Sequence, residues 1–169
     1  MSETGNFRHG LTENSYSYDT NEDYELSRLI LQMNRAMYRA RAKELFQYGI
    51  TPEEVALLFV VQAVGYRATP TRISRLLVRE PHSVSSLLTR MQKRGLVSKV
   101  KDLERKNLVR VVITEKGRQA YYHSMERKSI RRILSVLSEE ERRQLRVYMK
   151  KLRDKAFEEL GIARGSLSQ

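Results

Sequence analysis

The pattern of apolar and polar positions predicts a mostly helical chain. From Tyr24 onward, apolar residues recur at spacings of three to five, which predicts a first helix that ends near Gly49. Its apolar stripe consists of Leu26, Leu29, Ile30, Met33, Met37, Ala40 and Leu45. The first 23 residues are rich in Ser, Thr, Asn, Glu and Gly and show no period, so we expect a flexible acidic arm there.

The next two helices both begin at a Thr-Pro pair. In "TPEE", Thr51 is suited to cap a helix, Pro52 fits its first turn and Glu54 completes a capping box. The run that follows is apolar nearly all round, so this second helix should be central to a core and end around Gly65. A third, short helix opens at Thr69 and should face the core with Ile73, Leu76 and Leu77.

A fourth helix, over "PHSVSSLLTRMQK", has two very different faces. At 100° per residue, one side collects Val84, Leu87, Leu88 and Met91. The opposite side carries only polar and cationic residues, namely His82, Ser86, Thr89, Arg90 and Lys93, with Ser83 and Ser85 at its flanks. Gly95 ends the helix. Because the apolar side is assigned to the core, the polar face is left to contact a partner outside the core.

After Gly95 the period changes from helical to alternating. The segment "LVSKVKDLERKNLVRVVIT" predicts a strand, a charged turn and a second strand, and a further helix follows over "EKGRQAYYHSMERKSIRRILSVL". A capping box at Ser138–Glu141 starts the last helix, with a stripe of Leu145, Tyr148, Leu152, Ala156 and Leu160. The predicted fold class is mainly α with a small β-hairpin wing: a winged helix-turn-helix core plus terminal dimerisation helices.

The middle of this order resembles a winged helix-turn-helix, with one departure in its turn. The small Ser74 falls where two helices must approach closely. The turn itself reads Val78–Arg79–Glu80–Pro81, where a tight helix-turn-helix often has glycine. We therefore expect a slightly longer turn.

The charge of the chain indicates a polyanionic partner. The formal net charge is +12, and residues 69–118 alone hold thirteen Lys or Arg against four acidic residues, a net charge of +9. The chain has no cysteine, which excludes disulfides, thiolate catalysis and thiolate metal sites. His9, His82 and His123 form no zinc motif, and no catalytic or phosphate-binding glycine motif is present, so we expect neither an enzyme nor a cofactor or metal. No stretch has the length of a membrane span or a signal peptide, so we expect a cytoplasmic protein with no membrane partner.

Groove geometry makes double-stranded DNA the best match to the polar face of the fourth helix. A major groove admits one α-helix, whose short outer side chains reach base edges while its later cations meet phosphates. The basic hairpin, which also includes Arg110, is placed to enter the minor groove or grip the backbone. The predicted DNA-binding residues are Thr71, Arg72, His82, Ser83, Ser85, Ser86, Thr89, Arg90, Lys93, Arg94, Lys99, Lys101, Arg105 and Lys106. The alternative is a winged helix that binds RNA or a protein partner, which would favour apolar residues on that face.

The terminal stripes predict a homodimer, because a four-helix core cannot cover three long apolar stripes by itself. We assign residues 24–50 and 119–161 to dimerisation helices, 51–118 to the DNA-binding domain and 162–169 to a flexible tail. The predicted interface residues are Leu26, Leu29, Ile30, Met33, Ile133, Leu137, Leu145, Tyr148 and Leu152. The two fourth helices would then lie roughly 34–36 Å apart on a pseudo-palindromic operator.

The segment from about Ile50 to His123 resembles the multiple-antibiotic-resistance regulator (MarR) family of transcription factors. The resemblance is carried by "TPTRISRLL", "SVSSLLTRMQKRGLVSKVKD" and "VRVVITEKGRQA", and the flanking helices match in number and order. It implies a homodimeric transcriptional regulator, a repressor, that dimerises through its first and last two helices and places its fourth helix in a major groove.

Two departures from the family pattern affect DNA recognition. At the wing tip, the family's Asp-x-Arg type of motif is replaced by Asp102-Leu103-Glu104-Arg105-Lys106-Asn107, so either Arg105 or Lys106 is a candidate for the minor groove. In the fourth helix, Ser86 stands where an arginine is common, so the target sequence should be unusual.

The resemblance also implies a small-molecule effector, since family members commonly sense a small anionic aromatic ligand in the crevice between the dimerisation and DNA-binding lobes. The candidate pocket residues are Tyr38, Phe46, Tyr48, Phe59 and Tyr66. Aromatic residues at helix junctions more often belong to a core, so both interpretations stay open. The family's oxidation-sensing branch relies on cysteine, which this chain lacks.

Overall fold

A computed structural model describes residues 22–101 and 108–162. Over these residues the chain forms α1 (Glu22–Leu45), α2 (Pro52–Val64), α3 (Pro70–Leu77), α4 (Pro81–Lys93), β1 (Val97–Lys101), β2 (Val109–Ile113), α5 (Glu115–Ser124), α6 (Lys128–Leu134) and α7 (Glu139–Glu159). Short 3-10 helices follow α1 and α2. The predicted fold class, mainly α with a small hairpin wing, is confirmed. The wing-tip candidates Arg105 and Lys106 and nearly all of the predicted arm and tail lie outside the described residues.

Contact density divides the chain into two units, with the boundary along the sequence between Asn34 and Arg35. In the first unit, the described residues 22–34 are all helical and all exposed. The described residues are helical from Glu22 onward and include the predicted start at Tyr24. The second unit contains the remaining elements and the whole hydrophobic core.

The core of the second unit lies where α2, α3 and α4 meet the two-stranded sheet. Leu57, Leu58, Ile73, Leu88 and Met91 are completely inaccessible to solvent. The predicted inner face of α4 is confirmed, since all four of its apolar residues are buried. On α3, Ile73 is buried while Leu76 and Leu77 pack against the core more loosely.

Local capping fixes where the helices begin. The Thr51 hydroxyl accepts a hydrogen bond from the Glu54 amide at 3.3 Å, and the Glu54 carboxylate accepts one from the Thr51 amide at 3.0 Å. The same reciprocal box occurs at Ser138 and Glu141. Each box satisfies two amides that a helix start would otherwise leave without partners, so both predicted capping boxes are confirmed.

The longer turn that we expected between α3 and α4 does not occur. Only Val78, Arg79 and Glu80 separate the two helices, and the reversal is achieved by a left-handed backbone at Val78 (φ 51°, ψ 49°). A β-branched residue is strained in this region, so the turn stays only three residues long at a local cost in conformational energy. Ser74 is buried as predicted, and its hydroxyl donates to the Thr71 carbonyl at 2.9 Å.

The wing is attached to the core along β2. The strands pair antiparallel, with Val97 opposite Ile113 and Lys101 opposite Val109. The Val111 amide also donates to the Ala68 carbonyl at 2.8 Å, which ties the strand to the residue before α3. At the start of α5, a Cβ on Gly117 would meet the Leu96 carbonyl and lie 2.8 Å from Ile113 Cγ2, so only glycine fits there.

One predicted helix is wrong. We expected a continuous helix after Thr114, but the structure breaks it between α5 and α6, where Arg127 is left-handed (φ 50°). The cause is an ion pair on α1. Arg41 donates to the Ser124 carbonyl at the end of α5 and pairs with Glu44 at 2.8 Å. The Glu44 carboxylate accepts hydrogen bonds from the Lys128 amide at 2.8 Å and the Ser129 amide at 3.0 Å, and thereby caps α6.

These contacts hold the Glu44 carboxyl in its charged form. Burial acts to raise its pKa, but hydrogen bonds from Ser129 and Arg41 and from two backbone amides outweigh burial and lower the pKa to about 2. A carboxyl whose pKa is lowered by folding stabilises the protein above its unfolded-state pKa. That contribution is lost as the pH falls towards the folded-state value.

We predict that Glu44→Gln removes a pH-dependent part of the stability. The lowering of the pKa from 4.5 to about 2 corresponds to roughly 3 kcal/mol. In urea unfolding, the wild-type advantage over Glu44→Gln should therefore be large at pH 6 and shrink as the pH falls from 5 towards 2. The exposed Glu140→Gln serves as the control. A difference between wild type and Glu44→Gln that stays constant over this range would contradict the prediction.

A buried carboxylate joins α2 to the end of α4. Glu54 is 4% exposed, and its Oε1 lies 2.5 Å from Arg94 Nη1. Arg94 also donates to the Gly49 carbonyl, so one guanidinium holds the end of α4 against the start of α2.

We predict that Arg94→Met lowers the free energy of unfolding by about 2 kcal/mol. It leaves Glu54 buried without its cation, and the estimate is reduced because Arg94 itself is partly exposed. The neighbouring Lys93→Met, at an exposed position, should stay within about 0.5 kcal/mol of wild type. Chemical denaturation of both variants measures the difference, and equal stabilities would exclude a structural role for the Arg94 pair.

Candidate nucleic-acid interface

Helix α4 presents a continuous polar surface to solvent. Burial of its apolar side in the core leaves His82, Ser85, Ser86, Thr89, Arg90 and Lys93 exposed, with Ser83 half-buried. The Thr89 hydroxyl donates to the Ser85 carbonyl at 2.9 Å, so its oxygen remains able to accept a hydrogen bond. The structure thus brings the short hydroxyls, the histidine and two cations of the predicted set onto one helix face.

The start of α4 has anion-binding character. Pro81 occupies the first turn, and the Glu80 side chain makes no capping hydrogen bond to it. Amides of an uncapped first turn carry the positive end of the helix dipole and attract anionic groups. The exposed His82 lies in this first turn, and the exposed cations Arg90 and Lys93 lie in the last.

Helix α3 contributes a second exposed edge, including cations that the sequence analysis missed. Thr69 caps the helix by accepting from the Arg72 amide at 3.2 Å, Thr71 is exposed and Arg72 is half-buried. Arg75 and Arg79 are also exposed but were not predicted. Arg75 follows Thr71 by four residues and so shares its helix face, a signal that was available from the spacing alone.

The predicted cations of the wing differ in their surroundings. Strand alternation places Lys99 and Lys101 on the face that also carries the buried Val97, so Lys99 is half-buried and Lys101, at the strand end, is exposed. Arg110 instead donates to the Tyr66 carbonyl at 2.7 Å, and its guanidinium lies 5.6 Å from the Tyr66 ring. Arg110 therefore anchors the base of the wing to the connection between α2 and α3.

Arg94 is the exception within the predicted DNA-binding set. Its guanidinium is directed to Glu54 and Gly49, while Arg90 and Lys93 on the preceding turn face solvent. The side chain is 43% exposed, but its charge is already paired with a carboxylate. Arg94 thus differs from Arg90 and Lys93. The difference depends on its contact with Glu54, which the sequence alone does not show.

The five aromatic candidates for an effector pocket have different surroundings. The Tyr38 hydroxyl donates to Glu53 Oε1 at 2.6 Å; this hydrogen bond, burial and the negative charge of Glu53 raise the pKa of Tyr38 to about 12. Tyr48 stacks on His123 at 5.3 Å between ring centroids, and Phe46, Phe59 and Tyr66 are exposed. The cavities of about 600 and 730 Å³ that described residues line include none of the five in their walls.

The predicted dimerisation residues remain uncovered or only partly covered in the single chain. In the first unit, Leu26, Leu29, Ile30 and Met33 are exposed. In the second, Tyr148 and Leu152 on α7 are exposed, while Ile133, Leu137 and Leu145 are half-buried. Helix α7 has no buried residue along its whole length.

The described part of the chain shows no features of two other classes of site. Within residues 22–101 and 108–162, no helix is long and apolar enough to cross a membrane. The same residues contain no group of three or more His, Cys, Asp or Glu side chains that are placed to hold a metal ion.

Comparisons with solved structures support the winged-helix architecture. The chain is 30% identical to an organohalide-sensing transcriptional regulator, RdhR-CbdbA1625, whose crystal structure contains 2,4-dichlorophenol; the match covers 87% of this chain and 89% of that one, with a TM-score of 0.76. A mutant of E. coli MarR complexed with operator DNA is 21% identical over 78% of this chain and 96% of that one (TM-score 0.72). The S. aureus MepR–DNA complex is 23% identical over 76% and 96% (TM-score 0.70). At these two lower identities the likeness shows a shared fold.

Sequence comparisons point to the same group of proteins as the solved structures do. No curated protein matches the chain. A family model described as MarR family matches residues 48–103, which include α2, the helix-turn-helix of α3 and α4, and β1. Together with 30% identity over nearly nine tenths of both chains, this match shows that the chain belongs to the MarR family of transcriptional regulators.

Proposed function

We propose that the protein is a homodimeric repressor that binds a specific double-stranded DNA operator with α4 in the major groove. The observation that carries the proposal is the exposed face of α4, where short hydroxyls, one histidine and cations follow Pro81 without any large apolar residue. An RNA-binding or protein-binding winged helix is the alternative. A protein partner would favour apolar or aromatic side chains on this face.

The exposed side chains divide into two roles along α4. His82, Ser83, Ser85, Ser86 and Thr89 are short enough to approach base edges, so we assign them to sequence readout. Arg90 and Lys93 lie where the helix leaves the groove, and we assign them to phosphates. Arg94 is left out of this set because its charge is paired with Glu54.

The elements on either side of α4 extend the contact surface. We assign Thr71 and Arg72 on α3 to the backbone before the groove, and Lys99, Lys101, Arg105 and Lys106 to the wing. Arg75 and Arg79 add positive potential beside α4. Support also comes from the MarR and MepR structures, which share this fold and contain DNA.

The experiment that tests the proposal is fluorescence anisotropy with duplex DNA from immediately upstream of the protein's own gene. A scrambled duplex of the same length is the comparison, at about 0.15 M salt. We expect preference for the native sequence by a factor of about a thousand or more. Equal, salt-sensitive binding to both duplexes would contradict an operator-specific regulator and favour the alternative.

Two kinds of substitution on α4 should change DNA binding in different ways. Arg90→Ala should weaken binding to all DNA and reduce the slope of log K against log salt by about 0.9, because one phosphate contact is lost. His82→Ala or Ser86→Ala should instead change the preferred sequence, by about 1–3 kcal/mol for each good base contact. Arg131→Ala, at an exposed arginine on α6, is the matched control. Wild-type affinity, salt slope and preference in all three α4 variants would overturn the assignment of α4.

We further propose that the exposed stripes are covered by a second copy of the chain. Residues 24–50 and 119–161 would form the dimerisation helices and residues 51–118 the DNA-binding domain. Apolar side chains exposed along helices of this length are poorly soluble as they stand, and self-association removes them from water. Two copies related by a two-fold axis would place the α4 helices one DNA turn apart.

We predict that Leu152→Glu dissociates the dimer, since it would bury a charge in the interface. Sedimentation should give a mass near twice 19.8 kDa for the wild type and near 19.8 kDa for the variant. Val112→Glu, at a residue on β2 that is 42% exposed and lies outside the proposed dimerisation helices, should remain dimeric. A wild type that sediments as a monomer would contradict the dimer, and a Leu152→Glu variant that stays dimeric would exclude this stripe from the interface.

A small-molecule effector is also part of the proposal. The relative crystallised with 2,4-dichlorophenol is described as organohalide-sensing, and its overall likeness to this chain supports a ligand-responsive regulator. Tyr38, Phe46, Tyr48, Phe59 and Tyr66 remain the proposed candidates for contact with that ligand.

A further inference from the structure

Two consecutive carboxylates at the start of α2 act on the two arginines that flank α4. Glu54 pairs with Arg94, the residue directly after α4, at 2.5 Å. Glu53 instead attracts the positive charge of Arg79, which lies in the turn just before α4. The first turn of α2 therefore acts on both ends of the helix that carries the predicted base-reading face.

A hydrogen bond from α1 holds the Glu53 carboxylate. The Tyr38 hydroxyl donates to Glu53 Oε1 at 2.6 Å. Burial acts to raise the pKa of Glu53, but hydrogen bonds from Tyr38, from its own backbone amide and from Thr51 lower it, as does the charge of Arg79, and the net pKa lies below its usual value. Glu53 is therefore charged at neutral pH, where it accepts a hydrogen bond from α1 and attracts the turn before α4.

The positive charge of Arg79 acts on both members of this hydrogen bond. At the Tyr38 hydroxyl, the hydrogen bond to Glu53, burial and the charge of Glu53 raise the pKa to about 12, and Arg79 opposes this rise. Arg79 belongs to the turn between α3 and α4, so one set of polar groups joins α1, α2 and this turn. We call Tyr38, Glu53 and Arg79 the Glu53 cluster.

The same part of α1 also holds the end of α5. Tyr38 and Arg41 are three residues apart and so share one side of the helix. Arg41 donates to the carbonyl of Ser124, the last residue of α5, and both Tyr38 and Arg41 belong to the second unit. A shift of this part of α1 relative to α5 would therefore be transmitted to Glu53.

The turn that contains Arg79 has little freedom to adjust. It is only three residues long, Val78 is left-handed, and the Arg79 amide donates to the Ser74 carbonyl at 3.0 Å. A displacement of Arg79 would therefore move the start of α4. We propose that Glu53 is a positioning residue for DNA recognition, which fixes the start of α4 through Arg79 while Tyr38 holds it from α1. The effect on DNA rests on the proposed function, whereas the cluster itself does not.

The sign of the effect on DNA binding separates positioning from simple charge repulsion. By charge alone, loss of a carboxylate near a DNA-binding surface should strengthen binding to every duplex. If Glu53 positions α4, Glu53→Gln should instead lower the preference for the native upstream duplex over the scrambled duplex by about fivefold, without weakening binding to the scrambled one. Fluorescence anisotropy of the full chain with both duplexes measures this ratio.

Two further variants test whether the effect passes through the cluster. Tyr38→Phe removes only the hydroxyl and should lower the same preference; added to Glu53→Gln, it should have little further effect, because both act through one carboxylate. Glu80→Gln is the matched control, since it removes the same charge beside Arg79 and Glu80 makes no side-chain capping hydrogen bond, so binding to both duplexes should change alike. The proposal is overturned if Glu53→Gln binds the native duplex as tightly as the wild type does, or if Glu80→Gln lowers the preference equally.

Carbon-13 NMR of the glutamate carboxyl groups tests the cluster without DNA. Tyr38→Phe and Arg79→Gln should each raise the pKa of Glu53, since each removes a group that favours its charged form. Arg75→Gln, at an exposed arginine four residues before Arg79, is the matched control and should leave that pKa unchanged. Only variants with the circular dichroism spectrum of the wild type are compared. A Glu53 pKa that does not respond to Arg79→Gln would overturn the proposal.

The two measurements together separate this inference from the proposed function. A wild type without preference for the native duplex, whose Glu53 pKa still rises in Arg79→Gln, would contradict operator-specific binding and leave the cluster intact. A clear preference in the wild type, together with a Glu53 pKa that responds to neither substitution, would do the reverse.

Discussion

The burial of one face of α4 is the constraint on which the rest of the structure depends. Val84, Leu87, Leu88 and Met91 are packed against α2, α3 and the sheet, so the helix cannot rotate about its axis without exposing four apolar side chains. By the usual transfer energies, this would cost several kcal/mol. The orientation of His82, Ser86 and Arg90 is therefore a consequence of core packing, and a rigid face of this kind is what readout of a groove requires.

This dependence explains why so much of the candidate site can be predicted from the sequence. The faces of α4 follow from a 3.6-residue period, and the helix starts follow from Thr-Pro pairs and capping boxes, all of which act within four residues. The break after Ser124 is different, because Glu44 and Ser129 are 85 residues apart. Local pattern favours a continuous helix there, and only a contact from α1 replaces its hydrogen bonds.

The same distinction between local and distant contacts separates cations whose charge is exposed from cations whose charge is already paired. Arg90 and Arg94 are four residues apart on α4 and look equivalent in the sequence, yet Arg94 is paired with Glu54, 40 residues away. Arg110 likewise belongs to a predicted DNA-binding wing but bonds to Tyr66. A count of basic residues therefore overestimates the charge that is free to meet phosphates. Conversely, Arg75 and Arg79 were not among the predicted DNA-binding residues, yet both are exposed.

Helix α7 links the surface proposed for dimerisation to the turn before α4. Its exposed Tyr148 and Leu152 are assigned to a dimer interface, and the residues directly after it line the cavity of about 730 Å³ at this turn. Because a continuous helix is stiff along its axis, a change of position at Leu160 or Ile162 would also change how α7 meets the proposed second copy. A regulator on two half-sites needs both α4 helices at one spacing. Small changes at the turn would therefore alter DNA affinity more strongly in the dimer than in a single domain.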